Sequence, residues 1–185
     1  GVGPNAGHTV YVEGVKYGLR MITCGFSNPN SKLLIGSGVL VDIDRFLNEL
    51  DLTKTHDRIQ LDGRCAVIEA DHKERDTSAN SKKIGTTGSG CGPAQSDRVN
   101  RTIKLARDFP ELEKYICDVA EVANDAIADG QKLLIEGTQG FGLSLYYGNY
   151  PYVTSKDTSA STAAADIGIG PTNVDEVYVI YKAYM

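Results

Sequence analysis

Three loops in this 185-residue sequence carry residue types suited to holding a nucleotide. The first, Asn5-Ala6-Gly7-His8-Thr9, stands immediately before a strand pattern. Its glycine permits close backbone approach, and Asn5, His8 and Thr9 offer convergent hydrogen-bonding groups for a phosphate or a purine oxygen. An imidazole titrates near neutrality, which makes His8 a candidate acid. The alternative for this loop is an ordinary turn with His8 exposed.

The second loop, Ile84-Gly85-Thr86-Thr87-Gly88-Ser89-Gly90-Cys91-Gly92-Pro93, leads into a helix and so gathers backbone N–H groups, hydroxyls and a helix N-terminus around one point. Anions bind at such points. It lacks the terminal lysine of the G-x-x-x-x-G-K-[ST] loop, so a monophosphate is a better fit than a triphosphate. On the helix that follows, Arg98, Arg101 and Lys104 form either a basic stripe for that phosphate or a merely solvated face. The third loop joins Glu136-Gly137-Thr138-Gln139-Gly140 to Tyr150-Pro151-Tyr152-Val153-Thr154-Ser155 at the end of a strand, where α/β sheets place ligands. Gln139 and Thr154 are its ligand candidates, and the tyrosines read as a packing cluster.

The elements that must position these loops alternate. Val10, Val12, Val15, Tyr17 and Leu19 predict a hairpin between Thr9 and Met21. Leu33–Ile35, Val39–Val41 and Cys65–Ile68 read as strands, and Asp42 as the N-cap of a helix with Ile43, Phe46, Leu47 and Leu50 on one face. Asp71–Lys83 is expected to be an exposed polar stretch. Helices are predicted from about Ser96 to Arg107 and from about Pro110 to Asp129, the latter with Leu112, Tyr115, Ile116, Val119, Val122, Ala123, Ala126 and Ile127 on one face. Lys132–Glu136 and Val177–Tyr181 complete the set as strands. Alternating strands and helices indicate an α/β fold, and no clear linker divides residues 1–185.

Composition narrows the chemistry. A net charge of −5 argues against nucleic acid or an anionic membrane as partner. No apolar run approaches the roughly 18 residues of a membrane span. Cys24, Cys65, Cys91 and Cys117 are dispersed, which excludes C-x-x-C chemistry and suits reduced thiols in a cytoplasm. With only His8, His56 and His72, a metal here is expected to take oxygen ligands.

Asn5–Thr9, Ile35–Val41, Ile84–Ala94, Glu136–Gly140 and Tyr150–Ser155, in this order, closely resemble adenylosuccinate synthetases over essentially the whole chain. The resemblance implies an α/β fold related to the P-loop NTPases, with a mostly parallel central sheet flanked by helices. It also implies ligation of IMP and L-aspartate at the expense of GTP, by phosphorylation of the purine 6-oxygen and displacement of that phosphate by the aspartate amine. Carried over residue by residue, His8 and Gln139 are the catalytic side chains. Asn5, Ala6, Gly7, His8, Thr87, Arg101, Gln139 and Thr154 line IMP. Gly7, His8 and Thr9 face GTP, and the Gly7 carbonyl binds Mg2+. Arg101 is expected to reach the nucleotide of the other subunit in a homodimer.

The family's G-D-E-G-K-G phosphate loop and its guanine- and aspartate-binding segments have no counterpart here. The chain, whose first residues lack a leader and an initiator Met, is therefore expected to be an internal piece that is inactive alone. Ser89 stands where many bacterial members have arginine, and the short segment between Ala70 and Ile84 is similar to the compact archaeal type. Two alternatives stay open: a phage-type enzyme that takes dGMP instead of IMP, and a catalytically silent nucleotide-binding module.

Overall fold

The computed structural model describes residues 3–181 and 183. β1 (His8–Val12) and β2 (Val15–Leu19) form the expected antiparallel hairpin, with His8 opposite Leu19. Glu13 and Gly14 turn it, both at positive φ (49° and 80°), as a two-residue hairpin turn of matching twist requires. β3 (Leu33–Ile35) and β4 (Leu40–Val41) follow, and Asp42 caps α1 (Ile43–Thr53) by accepting from the N–H of Arg45. β5 (Ile59–Asp62) and β6 (Ala66–Val67) lead into α2 (Ala70–Arg75), α3 (Ala79–Ile84) and α4 (Cys91–Asn100). The last elements are β7 (Ile116–Cys117), α5 (Val119–Ala128) and α6 (Ala160–Ile167).

Among the described residues the strands outside the hairpin pair in parallel, β3–β5–β7 in one sheet and β4–β6 in another, and a single antiparallel bridge joins Ala66 to Leu105. Parallel strands are covered on both faces, and β3 shows how. Leu33 and Ile35 sit in the main core with Phe46 and Leu50 of α1, Leu61 of β5 and Tyr115, while Leu34 turns to a second cluster with Ala123 of α5 and Ala164 of α6.

Buried carboxylates tie the layers together. Glu49 on α1 accepts the backbone N–H groups of Arg20, Met21 and Ile22 at 2.8–2.9 Å and so fixes the chain leaving the hairpin. Asp62, at the end of β5, accepts from Arg64 and from the N–H of Val119 at the start of α5. Burial alone would raise the Asp62 carboxyl, but the Arg64 guanidinium and the two N–H donors outweigh it and hold it below the ordinary range.

Several expectations need correction. The Pro110–Asp129 helix is not continuous. A 3-10 stretch, Pro110–Tyr115, gives way to β7, and Asp118 then caps α5 by accepting from Glu121. Leu112 and Tyr115 enter the main core, whereas Ala123 and Ile127 enter the second cluster; a single straight helix does not reach both. The helix expected from Ser96 to Arg107 spans Cys91–Asn100 instead. Arg101 takes a left-handed conformation (φ 63°) and its N–H closes the helix end on Arg98 and Asp97. Residues 71–83 are mostly exposed, as expected, but they are not irregular: they form most of α2 and α3, with His72 and Asp76 buried. Residues 132–136 and 177–181, expected as strands, form no regular element and enter no ladder among the described residues.

Candidate functional site

The first and third loops meet at one hydroxyl. Asn5 Nδ2 donates to Thr154 Oγ1 at 3.3 Å, and Gln139 Nε2 donates to the same oxygen at 3.0 Å. Both lone pairs of Thr154 are then taken, so its O–H is left to donate to a ligand. Gln139 holds its place at a cost, being one of four described non-glycine residues at positive φ (63°). Residues kept in such sparsely populated backbone conformations gather at binding sites.

His8 lies beside this junction at the start of β1. Its Nδ1 is 3.6 Å from Glu136 Oε1, while Glu136 Oε2 accepts the backbone N–H of Cys24 at 2.7 Å. Two polar atoms are buried here without a protein partner: Asn5 Oδ1 and His8 Nε2. Buried polar groups are nearly always satisfied, and an amide oxygen and a ring nitrogen left open three residues apart in one loop call for a ligand with hydrogen-bonding groups. Gly7 and Thr9 are exposed at the same end of the hairpin, and Arg20 holds the loop by donating to the Pro4 carbonyl at 2.7 Å.

The second loop joins the first from the side of α4. Burial pushes the Cys91 thiol up to about 12, opposed by a hydrogen bond with the Asn5 backbone, and Gly3 packs against the same sulfur. Asp76 anchors the loop at both ends: its carboxylate accepts from the N–H of Gly90 and its carbonyl from Thr86 Oγ1. Gly90 has φ 79°, and a Cβ there would press on Ile68, Lys73 and His72 at 2.9–3.1 Å. Between the anchors, Thr87 points outward and exchanges a hydrogen bond with Ser89.

The basic stripe does not persist as one surface. Arg98 donates to the Arg64 carbonyl and Lys104 pairs with Glu69. Of these three cations, Arg101 is the one that is exposed with no ion pair to a described residue. It stands at the far end of α4 from Thr87, about 15 Å along a ten-residue helix. The structure thus brings Asn5, His8, Gln139 and Thr154 together, sets Thr87 on the adjoining loop, and leaves Arg101 apart.

Sequence reasoning overlooked Glu136 and Cys24 as neighbours of His8. The signal for Glu136 was available, since it is the last residue before the third loop. Cys24 gave none, because its placement depends on how the chain leaves the hairpin.

A family model described as adenylosuccinate synthetase matches residues 1–109 and 104–185. The chain belongs to the adenylosuccinate synthetase family. It is 60% identical over 186 residues to the adenylosuccinate synthetase of Archaeoglobus fulgidus, covering 100% of this chain and 55% of that protein. Against the Methanosphaera stadtmanae adenylosuccinate synthetase it is 59% identical over 190 residues, covering 100% of this chain and 56% of that protein. The chain spans about half the length of the curated relatives it matches.

Among solved structures, the fully ligated adenylosuccinate synthetase of Plasmodium falciparum shares the fold, with a TM-score of 0.85 at 24% identity over 94% of this chain and 52% of that one. The cyanophage S-2L succinoaminodeoxyadenylate synthetase, bound to dGMP with dATP as an energy donor, gives a TM-score of 0.77 at 28% identity over 92% of this chain and 51% of that one. The parallel, helix-flanked architecture expected of the family is therefore borne out, and it is incomplete relative to these proteins.

Proposed function

We propose that the protein to which this chain belongs joins IMP and L-aspartate into adenylosuccinate, using GTP and Mg2+, in the cytoplasm and as a homodimer. The observation that carries the reading is the convergence of Asn5, Gln139 and Thr154 beside His8. This junction carries one hydroxyl whose lone pairs are both taken, one unmet amide oxygen and one unmet imidazole nitrogen. A lactam purine such as hypoxanthine offers the complementary N–H donor and carbonyl acceptor in one ring edge. Substrate lining by Ala6 and Gly7 follows from their place between Asn5 and His8.

Phosphoryl transfer to the 6-oxygen needs positioning and charge neutralisation more than covalent help. His8 steadies the developing charge as a proton donor, and Gln139 holds the purine edge in line. Thr87 and the exposed backbone of Gly92 in the first turn of α4 suit the 5′-phosphate. Gly7, His8 and Thr9 form the GTP side at the exposed end of the hairpin. Arg101, exposed and unpaired, fits a role in the site of the other subunit.

For Mg2+, the fit rests on the exposure of Gly7. Its carbonyl is an oxygen ligand of the hard type this ion selects, in a place open enough for the waters and phosphate oxygens the ion retains. Bound there, Mg2+ supplies charge neutralisation at the phosphates.

A second reading, ligation of dGMP instead of IMP, is favoured by the likeness to the cyanophage enzyme. Coupled turnover of the complete protein with GTP, Mg2+ and aspartate, comparing IMP with dGMP and following phosphate release, separates them. Aspartate-dependent release with IMP is the expected result. Preference for dGMP moves the assignment to the second reading, and no release with either purine leaves a silent binding module.

A further inference from the structure

We propose that His8, Cys24 and Glu136 form a capture site for a thiophilic divalent metal ion, Zn2+ above all, distinct from the oxygen site for Mg2+. The three residues come from different parts of the chain: the start of β1, the 3-10 turn Cys24–Ser27 and the segment before the third loop. One ligand atom from each lies within 4.8 Å of the others.

An imidazole nitrogen, a sulfur and a carboxylate oxygen make a donor set typical of zinc sites, at bond lengths of about 2.0–2.3 Å. Such bonds place tetrahedral neighbours roughly 3.3–3.8 Å apart. The Glu136 Oε1 to His8 Nδ1 separation of 3.6 Å already meets that spacing, and with all three ligand atoms within 4.8 Å of one another the sulfur has at most about 1 Å to close.

The carboxylate is set for the task. Its Oε2 is fixed by the Cys24 N–H at 2.7 Å, which orients Oε1 toward the imidazole. His8 and Glu136 retain 26% and 27% side-chain exposure, enough for an ion to enter. Three protein ligands leave a fourth position for water or a nucleotide oxygen.

The only other cluster of this kind among the described residues, Asp71, His72 and Asp97, is differently built. There the Arg75 guanidinium bonds both carboxylates and occupies the place a cation would take.

Burial, and then the Glu136 carboxylate, keep the Cys24 thiol raised, to about 11, so in the metal-free protein it is protonated. Metal uptake forms one metal–sulfur bond, breaks the S–H bond and releases that proton to solvent. No electron is transferred. Because His8 Nδ1 becomes a ligand, an occupied site keeps the imidazole from taking the doubly protonated form that donates a proton, and the resulting inhibition rests on the function proposed above. Metal binding itself does not.

Co2+ titration of the complete protein tests the site directly. The expected result is one equivalent bound, with thiolate-to-cobalt charge transfer in the near ultraviolet and visible bands of tetrahedral intensity, both removed by Zn2+. Cys24→Ser should abolish the charge-transfer band while Cys117→Ser retains it, with near-ultraviolet circular dichroism confirming that each variant is folded. Glu136→Gln should keep the band but require more metal to develop it. Absence of a thiolate band in the folded wild type, or its persistence in Cys24→Ser, overturns the proposal. In turnover assays micromolar Zn2+ should inhibit the wild type and spare Cys24→Ser. If no purine is turned over at all, the function reading fails while the cobalt spectra still decide the metal site.

Discussion

The tetrapeptide Lys-Leu-Leu-Ile occurs twice, at residues 32–35 and 132–135, and the two copies meet different fates. In the first, Leu33–Ile35 is β3, hydrogen-bonded in register to Ile59–Leu61, with Leu33 and Ile35 only 3% and 4% exposed. The second enters no ladder among the described residues, and its Leu134 is 87% exposed. Identical local propensity thus gives a strand only where a partner strand is in place. Even so, Leu133 and Ile135 alternate inward beside Leu34, so the second copy keeps the facing of a strand without its hydrogen bonds. The frame built on β3, β5 and α1 is saturated with backbone partners. The rim, from the second copy to Asp157, enters no ladder among the described residues and is held by short-range backbone turns and by side chains.

That contrast can be broken or sharpened experimentally. The largest effect is expected at Glu49, whose removal in Glu49→Ala leaves three N–H groups without their acceptor at about 1–3 kcal/mol each. Urea unfolding should show a loss of several kcal/mol, and a loss below 1 kcal/mol would mean that the frame does not depend on this carboxylate. Leu33→Ala should cost about 2–5 kcal/mol as a buried truncation. Beside the rim, His8→Asn should lower turnover of the complete protein by about 100-fold or more, with circular dichroism unchanged; near-normal turnover would remove His8 from the chemistry.

A smaller effect is expected from pH. Asp62 in the frame is held low as described, and Asp157 in the rim is held well below the ordinary carboxylate range by the hydroxyls of Ser144, Ser159 and Thr162. Both folded values are depressed. Their stabilisation is therefore complete above the unfolded value of about 3.9 and declines as pH falls through the folded values. Thermal melts should drop below about pH 4, and Asp62→Asn or Asp157→Asn should flatten part of the decline. The smallest effect is expected for Leu134→Ala, within about 0.5 kcal/mol, because the side chain is exposed. A cost at Leu134 comparable with that at Leu33 would show that the second copy is paired in the complete protein.

Much of this was legible in the sequence. The hairpin, β3, and the Asp42 cap followed from alternation and a short acidic side chain. The three loops were legible as loops, and Gln139 and Thr154 as the polar parts of the third. What escaped was set by long-range competition. Asp118 and the edge of β5 cut the Pro110–Asp129 pattern in two, because Ile116 and Cys117 gain more from pairing with Leu61 and Asp62 than from extending a helix. The basic stripe failed for a similar reason: the chain turns at Arg101, and Arg98 and Lys104 find partners on other elements. Convergence of Glu136 and Cys24 on His8 was beyond local pattern, since it joins residues 112 positions apart.

The left-handed backbone at Gln139 bears on how this protein would respond to engineering. Glycine at that position relieves roughly 1 kcal/mol of strain. A library sorted on heat resistance alone would therefore drift there toward glycine, and Thr154 would lose one of its two amide donors. Selection for robustness and selection for the pocket pull this residue in opposite directions, so a hardened variant would need position 139 excluded from the library from the start.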